Sequence, residues 1–119
     1  MRDLIKAAKA LSDETRLRIL NLLLERECCV CEVMQVLQIS QTRASRNLSA
    51  LHDAGFLKMR KDGLWSLYSL DKKGMDDYLI GLVDSVRKAL DGNKLAAMDR
   101  ERLKKAERVG PGCAGKLMK

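Results

Sequence analysis

The stretch from Glu32 to Leu57, EVMQVLQISQTRASRNLSALHDAGFL, allows few folds. Val33, Val36 and Leu37 recur at i, i+3 and i+4, the spacing of one buried stripe on a short helix. The pattern breaks at Gln38, Ile39 and Ser40. Ser40 suits the N-cap of a second helix, because its hydroxyl accepts from an otherwise orphaned amide of the next turn. In that helix Ala44, Leu48 and Leu51 form the inward row, and Gly55 is placed to end it as a C′ residue. Gln41, Thr42, Ser45, Arg46 and Ser49 are left on the outer face, a polar set suited to base edges and phosphates in a major groove. The pattern is a helix-turn-helix whose second helix reads DNA.

The flanking sequence extends this reading. Leu4, Ala7, Ala8 and Leu11 predict an amphipathic helix, and Ser12 or Asp13 caps a second one running through Leu17, Ile19, Leu20, Leu22, Leu23 and Leu24, predicted to be the central buried helix. After Leu57 the period changes. Two β-capable runs flank Asp62-Gly63, a hairpin signal because two-residue turns of the favoured hand need positive φ. The expected fold is mainly α with a β-hairpin wing, a winged helix-turn-helix. Arg60 and Lys61, beside the tip of the wing, are suited to phosphate contacts. Met75, Tyr78, Leu79, Leu82, Val83, Val86 and Leu90 lie on one stripe of a further helix, serving either the core or a subunit interface; the interface is the favoured reading. Residues 1–92 are expected to form the DNA-binding and dimerisation domain, and 93–119 a charged C-terminal extension, a short helix or a mobile segment with a flexible Gly-Pro-Gly tail.

The formal charge of +7 in 119 residues favours a polyanionic partner such as double-stranded DNA. No apolar run has the length of a membrane span and none at the N-terminus resembles a leader, so a cytoplasmic protein is expected. Three of the four cysteines, Cys28, Cys29 and Cys31, are clustered, a pattern of soft-metal or redox chemistry in a reducing compartment rather than a secreted disulfide framework. A tetrahedral zinc site fits them poorly. A thiol redox switch remains open, since cysteines near a helix start can be reactive. Nothing indicates an enzyme: there is no Gly-rich phosphate loop, no Cys-x-x-Cys on a βαβ pattern and no nucleophile with an evident base.

Four stretches in order, LSDETRLRILNLL (11–23), ECCVCEV (27–33), SQTRASRNLSALHDAGFL (40–57) and DGLWSLYSL (62–70), resemble the ArsR/SmtB family of metal-responsive winged-helix repressors, and most of all its arsenic-sensing branch. The resemblance implies a homodimer joined through its terminal helices, here by Leu4, Met75, Leu79, Leu82, Val83 and Val86, that leaves its operator when metal binds. It places operator-reading residues at Ser40, Gln41, Thr42, Ser45, Arg46 and Asn47. Asn47 stands where many members have His. It implies As(III) or Sb(III) as inducer, with no organic cofactor, held by three thiolates. Cys29 and Cys31 match the family's Cys-Val-Cys, but Met34 occupies the position of a further cysteine in some members, so the third thiolate falls to Cys28 or Cys113.

Along an ideal helix, at roughly 100° per residue, residues 29 and 31 point about 200° apart, so convergence of all three neighbours requires the backbone to leave helical geometry. A helix N-terminus is expected to lower the thiol pKa values. Chain entropy favours adjacent Cys28 over Cys113, whose recruitment closes a loop of about eighty residues. Metal binding is then expected to bend the helix that positions the reading helix. The competing readings are a thiol redox-responsive repressor and a constitutive DNA-binding protein.

Overall fold

The computed structural model describes residues 1–109. Its elements are α1 (Arg2–Leu11), α2 (Glu14–Glu25), β1 (Cys28–Cys29), α3 (Val30–Leu37), α4 (Gln41–Asp53), β2 (Leu57–Asp62), β3 (Trp65–Leu70), α5 (Asp77–Leu90) and α6 (Lys94–Lys105). This is a winged helix-turn-helix, as the sequence predicts.

Asp13 caps α2 by accepting the Arg16 amide at 3.1 Å, and Ile19, Leu20, Leu22 and Leu23 are buried along it, which makes α2 the central helix. Around it pack Val33, Val36 and Leu37 of α3 and Ala44, Leu48 and Leu51 of α4. The break between α3 and α4 falls at Gln38, which closes α3 in the left-handed region at φ 57° while its amide donates to the Met34 carbonyl at 2.8 Å. Ser40 then caps α4 by accepting from the Arg43 amide at 3.2 Å. The far end of α4 is a Schellman closure: the Phe56 amide donates to Leu51 at 3.1 Å, the Gly55 amide to His52 at 3.0 Å, and Gly55 has φ 95°. A Cβ there would also stand 3.2 Å from Leu79 Cδ1, so a side chain at 55 meets both backbone strain and the α5 helix.

The three strands form an antiparallel sheet in the order β1-β3-β2. Asp62 pairs with Trp65, so the two-residue turn is Gly63-Leu64 rather than Asp62-Gly63. Gly63 alone takes positive φ, 61°, and Leu64 does not, so glycine is needed only at the first central position, as in a type II′ hairpin.

One helix, α1, turns a different face inward than expected, and the C-terminal extension forms the short helix that was one of its two readings. On α1, Ala7 and Ala10 face the core, whereas Leu4, Ile5 and Ala8 are exposed. The buried face is thus Ala7 and Ala10, on a helix that lies against α2 and α4. The charged extension contains the three-turn helix α6, capped by Asn93, which lies against α2 and α3. Its inner face is Ala96, Asp99 and Leu103. Asp99 is fully buried and receives a forked pair from Arg18, Nε to Oδ2 at 2.8 Å and a terminal nitrogen to Oδ1 at 2.9 Å. Buried Asn21 of α2 donates to the Ala96 carbonyl at 3.1 Å and accepts from Arg100 at 2.9 Å. No helix among the described residues is long and apolar enough to cross a membrane.

Candidate nucleic-acid interface and thiol cluster

Burying Ala44, Leu48 and Leu51 turns the opposite face of α4 outward. Gln41, Thr42, Arg46 and Ser49 are exposed there, Ser45 is half-buried, and Ser40 is exposed at the cap. Arg43 is exposed beside them and reaches Thr15 Oγ1 at 3.4 Å. Arg43 was not singled out from sequence, although a long basic side chain in the first turn of a helix expected to read DNA was a usable signal. Asn47 is occupied elsewhere: its amide donates to the Arg43 carbonyl at 2.8 Å and accepts from Arg16 at 3.2 Å. Arg16 in turn donates to the carbonyls of Lys9 and Ala10, so Asn47 ties α4 to the α1–α2 corner.

On the wing, Arg60 is exposed but holds Glu27 in a forked ion pair with contacts of 2.7 and 2.9 Å. That hydrogen bond keeps the Glu27 carboxyl below its ordinary range. Lys61 is exposed and donates to Ser66 Oγ at 2.8 Å. His52, exposed at the end of α4, meets Tyr68 edge-on with ring centres 6.4 Å apart.

The cysteines sit where β1 passes into α3. Successive side chains of a strand point to opposite faces. Cys28, paired with Tyr68, belongs to the main core, and its thiol donates to the Arg26 carbonyl at 3.5 Å. Cys29, paired with Leu67, shares the opposite side with Cys31, Leu67, Trp65 and Val109. Cys29 is also the N-cap of α3: its sulfur accepts from the Glu32 amide, and the Glu32 carboxylate accepts from the Cys29 amide at 2.9 Å. A β-extended cap before the helix thus resolves the angular problem posed by an ideal helix, and brings 29 and 31 together while turning 28 away. Among the described residues, no group of three His, Cys, Asp or Glu side chains is arranged to hold a metal ion. Cys113 lies outside the described residues.

At Cys28 and Cys29 the expected lowering of thiol pKa is reversed. Burial pushes the Cys28 thiol up to about 12, with the Glu32 charge adding to the rise. Burial also raises Cys29, and the amides of Glu32 and Cys31 offset this only in part. Sequence reading missed the charged group beside them. Glu32 is buried at 2% exposure and is held by Arg26 at 2.6 Å and by Arg108 at 3.4 Å. A glutamate on the apolar side of α3 was the available sign, but its partners lie on other elements.

The predicted interface residues divide. Met75, Leu79 and Val83 are buried in the chain's own core. Leu82 and Val86 are half-buried, and Leu4 is 49% exposed beside Ile5 at 47%.

The family model described as "Bacterial regulatory protein, arsR family" matches residues 13–59, the span from the α2 cap into the wing. The arsenic resistance transcriptional regulator ArsR1 of Pseudomonas putida is 40% identical over 96 residues, 76% of this chain and 75% of that protein. The chain belongs to the arsR family. Another relative, the cadmium resistance transcriptional regulatory protein CadC homolog of Staphylococcus aureus, is 42% identical over 83 residues, 69% of this chain but only 65% of that protein. The homodimeric winged helix-turn-helix DNA-binding domain Mb0332 of Mycobacterium bovis, described as a possible ArsR-family regulator, superposes with a TM-score of 0.64 at 27% identity, covering 78% of this chain and 82% of that one. An arsR-family chain is a transcriptional regulator.

Proposed function

We propose that this chain is a metalloid-responsive transcriptional repressor of the cytoplasm: a homodimer that holds double-stranded operator DNA through α4 and the wing, and releases it when Cys29 and Cys31 take up As(III) or Sb(III). The observation that carries the reading is the shared placement of the Cys29 and Cys31 side chains, at the cap of α3 and against Leu67 of the wing. Two soft sulfur donors in one apolar cluster fit a thiophilic ion better than a hard one. The names of the arsenic and cadmium resistance relatives point to the same class of effector.

The same placement supplies a route to release. Drawing Cys29 and Cys31 onto one ion moves the cap of α3, which is paired through β1 to β3 and linked from Glu27 to Arg60. The helix that seats α4 and the strand that seats the wing are displaced together. Arg60 is free for a phosphate only when it leaves Glu27, so Lys61 is the simpler wing contact.

Cys29→Ser is well suited to test this, because serine is itself a good N-cap and so removes the soft donor while keeping the helix start. Both Cys29→Ser and Cys31→Ser are expected to bind operator like the parent and to stay bound in arsenite, as read by fluorescence anisotropy. Release of both variants at the parent's arsenite concentration would exclude these sulfurs.

Two DNA-side variants should fail differently. Lys61→Ala should weaken all sequences alike and shallow the salt dependence by about one log-log unit per lost phosphate contact. Arg46→Ala should cost roughly 1 to 3 kcal/mol on operator and relax its sequence preference. Binding measured across a salt series on operator and scrambled DNA separates them, and an unchanged slope in Lys61→Ala would remove the wing from the interface.

A further inference from the structure

We infer that Arg16 and Asn47 form one positioning unit for DNA recognition, in which the Arg16 guanidinium fixes α4 to the end of α1 through the Asn47 side chain, and that Asn47 does not read a base. The inference rests on the reading of α4 as the DNA-contacting helix proposed above and names what sets its orientation. Arg16 stands in the first turn of α2, where Asp13 holds its amide. Its half-buried side chain runs back over the α1–α2 corner. Nε donates to the Ala10 carbonyl at 2.8 Å, one terminal nitrogen to the Lys9 carbonyl at 3.1 Å and the other to Asn47 Oδ1 at 3.2 Å. Those carbonyls belong to the last turn of α1, where helix geometry leaves acceptors without intrahelical partners. A single planar fork therefore joins the end of α1, the start of α2 and the middle of α4.

The chemistry of these groups decides which way Asn47 points. A guanidinium only donates and a carbonyl only accepts, so the Asn47 oxygen must face Arg16 while its nitrogen faces the Arg43 carbonyl, 2.8 Å away and one turn back. An asparagine that reads adenine needs its oxygen and nitrogen together on one base edge. Here the oxygen is held by a cation of α2 and the nitrogen by the backbone of α4 itself. Asn47 is also half-buried, whereas Gln41, Thr42, Arg46 and Ser49 are exposed. A second side-chain contact joins the same two helices, from Arg43 to Thr15 Oγ1 at 3.4 Å.

The apolar row of Ala44, Leu48 and Leu51 buries one side of α4, but apolar burial is non-directional and tolerates a rotation about the helix axis that a hydrogen bond at the edge of the row resists. A binding constellation works only when its side chains are held within about 10–20° of the productive geometry. Asn47 is the next residue after Arg46, so fixing the first fixes the direction of the second. A displacement of α1 also reaches α4 directly, through the guanidinium that holds both.

The test uses the full reduced chain and a labelled duplex selected by the parent protein from a randomised pool, with binding followed by fluorescence anisotropy across a salt series. Asn47→Ala, Arg16→Lys and the double variant should each bind this duplex about tenfold more weakly than the parent, the loss of one charged hydrogen bond. The double variant should be no worse than either single one, because both changes break the same contact. Arg16→Lys keeps the charge but loses the fork, since a single ammonium cannot span Asn47 and two carbonyls. Affinity for a scrambled duplex and the salt slope should match the parent in all three, because no phosphate contact is lost. Losses that multiply in the double variant, an equal loss on scrambled duplex, or single variants that bind like the parent would each overturn the inference. So would an Asn47→Ala protein that relaxes preference at one base pair which Arg16→Lys still distinguishes, since Asn47 would then read that base. Arg46→Ala that binds and selects like the parent would instead overturn the reading of α4 as the DNA helix, and the positioning role with it.

Discussion

Replacing Arg18 by alanine should lower the stability of the fold by about 3 to 5 kcal/mol, the cost of breaking a buried pair and leaving one charge unpaired. The stranded group is Asp99, which is fully buried, and among the described residues no other cation bonds to it. Asp99→Ala should cost less, because the Arg18 side chain retains 20% exposure and can turn to water. Arg18→Met with Asp99→Leu should recover much of the loss, since an apolar pair of similar volume has no charge to desolvate. Urea unfolding of the three variants gives the order directly. Equal midpoints for Arg18→Ala and the parent would mean that α6 is not held to α2 by this pair.

Placing charge on the exposed face of α1 should act on assembly and not on folding. Leu4 and Ile5 are each about half exposed in the protomer, so Leu4→Glu with Ile5→Glu leaves the core intact. In a dimer joined through α1 the same charges would be buried without partners, a heavy penalty. Sedimentation should then show a folded monomer, and operator affinity should fall by about 10² to 10⁴, because the second half-site is no longer tethered to the first. Leu79→Asp is the contrasting variant. Leu79 is buried at 5% exposure against Gly55, so its replacement should unfold the protomer itself. A double Glu variant that sediments as a dimer would move the interface away from α1.

The helix-turn-helix was legible because its signals are local: Ser40 and Gly55 at the ends of α4, and a row of Ala44, Leu48 and Leu51 that repeats with the helix. What escaped depends on partners far along the chain. The inner face of α6 carries an aspartate between Ala96 and Leu103, so an apolar count finds no stripe; only Arg18, 81 residues earlier, makes that position buriable. Glu32 and Asn47 are similar, polar side chains whose roles are set by Arg26, Arg108 and Arg16. At the cysteines the composition gave the chemistry but not the geometry. Two strand residues at 28 and 29 decide which sulfur faces Cys31, and Val109, which packs against Cys29 and Cys31, comes from the extension expected to be a short helix or a mobile segment.

The central claim is that a soft trivalent ion, through reduced thiolates, breaks the operator complex. It is tested by titrating the preformed complex of the reduced parent protein with arsenite under anaerobic conditions, with peroxide and Zn(II) titrated in parallel. The account predicts release by arsenite near one equivalent per site, with the complex intact in Zn(II) and release by peroxide reversed on adding reductant. An operator complex that stays intact in excess arsenite would contradict it, leaving a redox-responsive repressor if peroxide alone releases the DNA and a constitutive DNA-binding protein if nothing does.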